Sequence, residues 1–352
     1  MRDIEQAITY DDVLLKPKRS SVTDLRDVDT STELTSNITL EAPITSACMD
    51  TVTEAELAIA LAREGGIGMI HRFMPIEDEV SEVEAVKGSE GHVIRDPVSV
   101  TPDYSAADVW SLMEENGISG ILVTDNGKLD GLVSRRDLMF EDELDCEIRK
   151  LMTPQEDLIT AGPETSLEDA KEIFRTEKIE KLPLVTDTNE LYGLITAKDI
   201  EKIEDYPDAT KDRDGRLRVG AAIGAHDHIE RTEALLEAGA DVIVLDVAHG
   251  HLDASIDAIK EVKQEFGDVD LVAGNIATQE AAQDLIAAGA DCVKVGVGPG
   301  SMCTTRIVAG AGVPQLTAVM NCVEIADDHD IPVIADGGIK NSGDLAKALA
   351  AG

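Results

Sequence analysis

The stretch from Lys294 to Arg306, KVGVGPGSMCTTR, places Cys303 behind three glycines and a serine, at what reads as the end of a buried strand. Glycines let a backbone come close to a ligand and turn N–H groups toward anionic oxygens. A partly exposed thiol in such surroundings favours its thiolate and can act as a nucleophile. A free cysteine in a packed core is instead a small hydrophobe, and spacing alone leaves both readings open. Two acids end apolar runs in a comparable way. Asp246 closes VIVLD, and Asp336 leads into Gly337 and Gly338, which suits a helix N-cap or a binding acid at a strand end. His249 and His251 are an i, i+2 pair with no carboxylate–cysteine cluster nearby, so they read as loop packing and not as a metal site.

The elements that must position these groups follow one rhythm. From Asp208 onward, helix-patterned and strand-patterned segments alternate, the sign of a parallel α/β fold. Strands are expected at RVGAAI (218–223), DVIVLDV (241–247), DLVAGNI (270–276), CVKVGV (292–297) and PVIADGG (332–338). Their apolar runs are nearly continuous, as strands covered on both faces require. LLEAGADVIVLDV and LIAAGADCVKVGV repeat at an offset of 50, with Gly239 and Gly289 placed for left-handed helix ends. APITSACM (42–49) and GGIGMIH (65–71) add two strands, joined by the helix-like EAELAIALARE (54–64). Seven strand–helix units approach the eight of a TIM (β/α)8 barrel, whose chemistry sits at the C-terminal ends of its strands. Because Gly352 ends a helix as Gly239 and Gly289 do, an eighth strand is expected beyond it.

Between the second and third strands lies a segment of different texture, 92–206, which repeats internally as about 92–147 and 148–206. DGLVSRRDLM answers YGLITAKDIE, and ILVTDN answers PLVTDT. Duplicated modules of this size pair because half of one cannot bury its apolar face alone. The catalytic unit is then 1–91 together with 207–352.

Composition narrows the partners. Asp plus Glu number 70 against 31 Lys plus Arg, a formal charge of −39 spread along the chain. Such a charge repels phosphate backbones and anionic lipid, so nucleic acid and membranes are excluded as partners. With 43% hydrophobic residues the acidity does not signal disorder. It suits a halophilic archaeon's salt-rich cytosol, where ions screen self-repulsion. The five cysteines are scattered and form no C-x-x-C pair, which argues for free thiols. The N-terminus lacks the basic start and apolar run of a signal peptide, so a cytoplasmic location is expected.

GVGPGSMCTTRIVAGAGVPQ (296–315), YDDVLLKP (10–17), ITSACMDTVTE (44–54) and IADGGIKNSGD (334–344) together resemble the inosine-5'-monophosphate (IMP) dehydrogenases. The insert is similar to the tandem CBS pair that such enzymes carry. The resemblance implies that Cys303 adds to C2 of IMP, that hydride leaves to NAD+, and that the thioimidate hydrolyses to xanthosine 5'-monophosphate, with Thr305 near the water. It implies Ser301, Asp336, Gly337, Gly338 and Met49 for IMP. Asp246, Asn275, Gly296, Val297 and Gly298 would meet the cofactor. The carbonyls of Gly298, Gly300 and Cys303 would hold a potassium ion, and Asp137 and Asp199 a regulatory purine nucleotide in the CBS module. A homotetramer or octamer is implied as well. The family's water-activating arginine lies on a flap after the eighth strand, so this stretch by itself is expected not to complete turnover. The GMP reductases share the cysteine loop and barrel, although most lack the insert, and they are the rival enzyme reading. A CBS nucleotide sensor without catalysis is the rival of another class.

Overall fold

The computed structural model describes residues 6–89, 93–95, 97–141, 144–198, 200 and 206–352. The chain divides into two compact units, one of Met1–Ser89, Asp208–Asp212 and Arg216–Gly352, the other of Glu90–Pro207 and Arg213–Gly215.

The first unit opens with a hairpin, β1 (Thr32–Thr35) and β2 (Ile38–Leu40), followed by α1 (Ala55–Arg63), β3 (Gly68–Ile70) and α2 (Ile76–Ser89). Helix α1 lies so close on β3 that a Cβ at Gly68 would stand 2.4 Å from Ala58 Cα; only glycine fits there.

The second unit holds a four-stranded sheet of β4 (Ser99–Val100), β5 (Gly120–Asp125), β6 (Lys128–Ser134) and β7 (Thr153–Pro154), in that order. A hairpin, β8 (Lys181–Val185) and β9 (Leu191–Thr196), follows. Helices α3 (Ala106–Glu115), α4 (Arg135–Leu138) and α5 (Leu167–Glu177) accompany them. The two internal repeats share their ends: Ser105 caps α3 by accepting from Asp108 N, and Ser166 caps α5 by accepting from Asp169 N.

The first unit then resumes with β10 (Val219–Ile223), α6 (His228–Glu237), β11 (Val242–Asp246), α7 (Asp253–Phe266), β12 (Leu271–Ile276), α8 (Gln279–Ala288) and β13 (Cys292–Val295). After these come α9 (Thr305–Val308), α10 (Gln315–Asp327), β14 (Val333–Ala335) and α11 (Ser342–Ala350). The six strands β14-β13-β12-β11-β10-β3 form one parallel sheet, an arc of a TIM-type barrel. Alternate side chains face opposite ways. Val219, Ala221, Ile243, Leu245, Leu271, Ala273, Val293 and Val295 pack toward the helices. Ala222, Val242, Val244, Val272 and Cys292 face inward, where Leu34, Ile38 and Leu40 of the hairpin cover them. Burial on both faces is why the runs read as continuously apolar.

Several expected strands are shorter than their apolar runs, GGIGMIH among them, which forms only β3. The segment 42–49 makes only the bridge Thr45 to Ile67, because Pro43 has no N–H and Ile44 N turns back to Ala42 O at 2.7 Å. Strand β13 ends before Gly296, and β14 ends before Asp336, where Gly337 and Gly338 take φ of +90° and +82°. Regular pairing gives way to turns at the ends where ligands are expected.

The repeated Gly-Ala-Asp belongs to the opposite, N-terminal end of the sheet. Asp241 accepts from Val219 N at 2.9 Å and Asp291 from Leu271 N at 2.8 Å. Each also meets a lysine: Lys87 Nζ lies 2.8 Å from both Asp241 and Asp212, and Lys263 Nζ lies 2.9 Å from Asp291. The motif is a strand-edge clasp used twice. Lys87 is buried, so removing its charge leaves two acids without their partner. Lys87→Met should lower the stability of this unit by about 3–5 kcal/mol, read as an earlier urea midpoint.

Candidate active site

The inward parity that places Val244, Val272 and Cys292 carries on one step toward the C-terminal ends, to Asp246, Gly274 and Lys294. Registers align Asp246 with Gly274 and Gly274 with Lys294. A Cβ on Gly274 would lie 2.7 Å from Lys294 Cβ, so the glycine clears the course of the lysine chain. Lys294 Nζ reaches Asp246 Oδ1 in a short ion pair and Asp336 Oδ2 at 3.3 Å. Burial alone would lower the lysine pKa; the acids around it overcome that penalty and raise it. The ammonium is the fixed charge at the centre of the site.

Asn275 donates both amide hydrogens, to Gly296 O at 2.9 Å and Asp336 Oδ2 at 2.7 Å, and its Oδ1 is buried without a partner. Buried Gln315 donates to Val295 O at 2.8 Å and Asp336 O at 3.1 Å, tying the loop after β13 to the turn after β14. A Cβ at Gly296 would stand 2.0 Å from Asp336 O, so these two segments meet only because residue 296 is glycine. Asp246, Asn275, Gly296 and Asp336 thus form one network. Lys294 and Gln315 belong to it and were not singled out from the sequence. A lysine inside the apolar run CVKV was the available signal, since an unpaired charge is not tolerated there.

The cysteine loop stands beside this network. A Cβ at Gly337 would stand 3.1 Å from Gly300 N and 3.2 Å from Pro299, tighter than ordinary contact, whereas one at Gly338 would meet Pro299 at an ordinary 3.4 Å. Cys303 is exposed, its N–H donates to Gly300 O at 3.2 Å, and Sγ lies 3.2 Å from Thr305 Oγ1. The Thr305 side chain and backbone, then the Gly298 N–H and the Arg306 charge, stabilise the thiolate and lower the thiol pKa. Burial does the reverse elsewhere, pushing Cys48 and Cys322 up to about 12 and raising Cys292. Thr305 begins α9, and Val297 O accepts Val313 N at 3.2 Å, closing the loop behind the thiol. Ser301 and Met49 are exposed, and Gly298 takes a φ of +84° against the Arg306 stem.

Other sequence candidates land differently. His251 Nε2 pairs with Asp284 of α8 at 2.8 Å. Asp137 Oδ2 accepts from Ser134 N and Oγ, each at 2.7 Å, so its carboxylate closes a capping box on α4. Asp199 lies outside the described residues. Asp50, Glu54 and His71 cluster at metal-like spacing, yet His71 Nδ1 accepts Phe73 N–H at 3.1 Å. Its buried Nε2 faces Glu54 and Asp50 at 3.6 and 3.8 Å and makes no hydrogen bond among the described residues.

An activated thiol among buried, inert ones should be visible to alkylation. Iodoacetamide should label Cys303 ahead of Cys48, Cys292 and Cys322, with a pH midpoint below that of an ordinary thiol. Thr305→Val should move that midpoint upward, as followed by peptide mass spectrometry across a pH series.

Comparison with known proteins accords with this geometry. Residues 7–352 match the model of the IMP dehydrogenase / GMP reductase domain. An inosine-5'-monophosphate dehydrogenase of Nitrosopumilus maritimus (strain SCM1) is 51% identical over 99% of this chain and 73% of its own length. The enzyme of that name from Aquifex aeolicus (strain VF5) is 53% identical over 100% of this chain and 72% of its own. Among solved structures, a GMP reductase from Trypanosoma brucei in complex with guanosine 5'-triphosphate is 42% identical, with a TM-score of 0.90 over 99% of this chain and 85% of that one. A reductase can therefore match the chain with its insert included, and the insert does not separate the two activities. With this fold, this thiol loop and these relatives, the chain belongs to the IMP dehydrogenase / GMP reductase family.

Proposed function

We propose that this chain carries the site for NAD-dependent oxidation of IMP to xanthosine 5'-monophosphate. The observation that carries the proposal is an exposed, acidified Cys303 on a loop that packs against the turn after Asp336, with Asp336 and Asp246 sharing one buried ammonium. Identity of 51% and 53% to two enzymes named as the dehydrogenase supports the oxidative direction.

Cys303 thiolate would add to C2 of the purine, and the C2–H electron pair would depart as hydride. NAD+ supplies the acceptor for that hydride. Water would then add to C2 and expel the thiolate, regenerating the enzyme and leaving the C2 oxygen of the product. Splitting the oxidation from the hydration avoids one step that must do both. Thr305, within hydrogen-bond reach of Sγ, would support the thiolate as it leaves. Asp336 would accept from the IMP ribose hydroxyls, while Ser301 with the Gly337 and Gly338 N–H groups would face the phosphate, and Met49 the base. Asp246 with Asn275 and the backbone of Gly296, Val297 and Gly298 suits the cofactor: carboxylate and amide oxygens are acceptors for sugar hydroxyls, and Asn275 Oδ1 lacks a partner. Carbonyls of Gly298, Gly300 and Cys303 are the hard oxygens that a potassium ion takes. The insert is read as a CBS pair regulated by a purine nucleotide through Asp137 and Asp199, in a cytoplasmic homotetramer or octamer working in high salt. Among the described residues no helix is long and apolar enough to cross a membrane.

GMP reduction is the second reading, favoured by the Trypanosoma brucei structures that follow the whole chain. The full-length protein should form NADH from IMP and NAD+ in potassium chloride, and Cys303→Ala should cut kcat at least about a thousandfold. GMP-dependent NADPH consumption without NADH formation would establish the reductase. Nucleotide binding with neither activity would leave a sensor.

A further inference from the structure

Resting on the dehydrogenase reading, we infer that Lys294 is a positioning residue that fixes which oxygen each of two carboxylates offers to the ligands, Asp336 to the nucleotide ribose and Asp246 to the cofactor. Asp336 Oδ2 receives Asn275 Nδ2 at 2.7 Å and Lys294 Nζ at 3.3 Å, whereas its Oδ1 accepts no hydrogen bond among the described residues. The amide cannot be turned over, because both its hydrogens already meet acceptors. Asp246 repeats the arrangement, with Oδ1 on Lys294 and no hydrogen bond to Oδ2 among the described residues. Each carboxylate is therefore held by one oxygen and presents the other.

A contrast within the same sheet separates this from ordinary charge pairing. Lys87 also bridges two aspartates, but at the closed N-terminal end, where their side chains are 12% and 10% exposed. The acids on Lys294 are 21% and 27% exposed at the open end. There the lysine is the sealed member and the acids are the accessible ones. An ammonium reached by a buried stem from the strand between them sets both carboxylates from behind, without occupying the volume in front. A carboxylate with one oxygen pinned and one free discriminates a hydroxyl from a hydrogen through the unmade bond.

The test uses the full-length protein and compares IMP with 2'-deoxy-IMP. In Lys294→Met the KM for IMP and that for NAD+ should each rise about tenfold or more, the KM for 2'-deoxy-IMP should change little, and kcat should fall less than either KM rises. Asp336→Asn should erase the same hydroxyl preference, and adding it to Lys294→Met should cost no further IMP affinity. Lys294→Arg, which keeps a cation with several donors, should restore both KM values to within about threefold. The inference is overturned if Lys294→Met leaves both KM values within about twofold, weakens IMP and 2'-deoxy-IMP equally, or multiplies with Asp336→Asn. Should Lys294→Met not melt cooperatively, Lys294→Gln is read in its place by the same criteria. If the wild type forms no NADH, the dehydrogenase reading fails by itself. Protection of Cys303 from iodoacetamide by IMP and 2'-deoxy-IMP then measures the same preference without turnover.

Discussion

A positive charge sealed inside an apolar barrel must be matched by negative charge within a few ångströms, or the strand that carries it will not pack. Lys294 imposes that constraint on the open end of the sheet, and Asp246 and Asp336 meet it from β11 and from the turn after β14. The rest of the site is arranged around this match. Gly274 yields space beside the lysine stem, Asn275 completes the coordination of Asp336, and Gln315 holds the turn against β13. The separation of the two acids in sequence, 90 residues, has no bearing on their pairing; register and parity bring them to the same layer.

The thiol loop obeys a different requirement. Under the proposed reaction Cys303 must remain exposed to meet a ligand, yet its thiolate must be favoured without a buried cation of its own. Hydrogen bonds from Thr305 and the Gly298 N–H accomplish this at the surface, while the barrel's other buried thiols are driven toward the neutral form. The division of labour runs along the strands: Lys87 and Lys263 clasp the N-terminal ends, where the sheet needs stability, and Lys294 organises the C-terminal ends, where ligands arrive.

The large negative charge of the chain sits uneasily with binding phosphorylated ligands. Locally the site answers this with N–H groups at the glycine turns and with Lys294, which offsets the charge of one of the two acids it joins. Elsewhere, several acids are committed to caps and clasps. Asp137 serves a helix end in the second unit, and Asp241 and Asp291 hold strand edges in the first. Much of the remaining acidity is exposed, where salt screens it.

By itself the amino-acid sequence determined the alternating parallel architecture, because burial on both faces demands continuous apolar strands, and it marked the glycine-rich loop before Cys303 as a place of close backbone approach, while the spacing alone left the thiol open to a nucleophilic or a packing role. It also showed the Gly-Ala-Asp repeat, though not its purpose, since an acid opening a strand looks the same whether it binds a ligand or clasps a neighbouring backbone. Asp137 illustrates the same ambiguity: Ser-x-x-Asp is a capping box as readily as a ribose site, and its carboxylate makes the capping bonds. Lys294 and Gln315 were visible only as polar residues in or near apolar runs. What they touch depends on strand order, register and the inward parity of each strand. Those are long-range properties, decided when β11, β12, β13 and β14 pair side by side, and only then do a lysine and two distant aspartates become a single site.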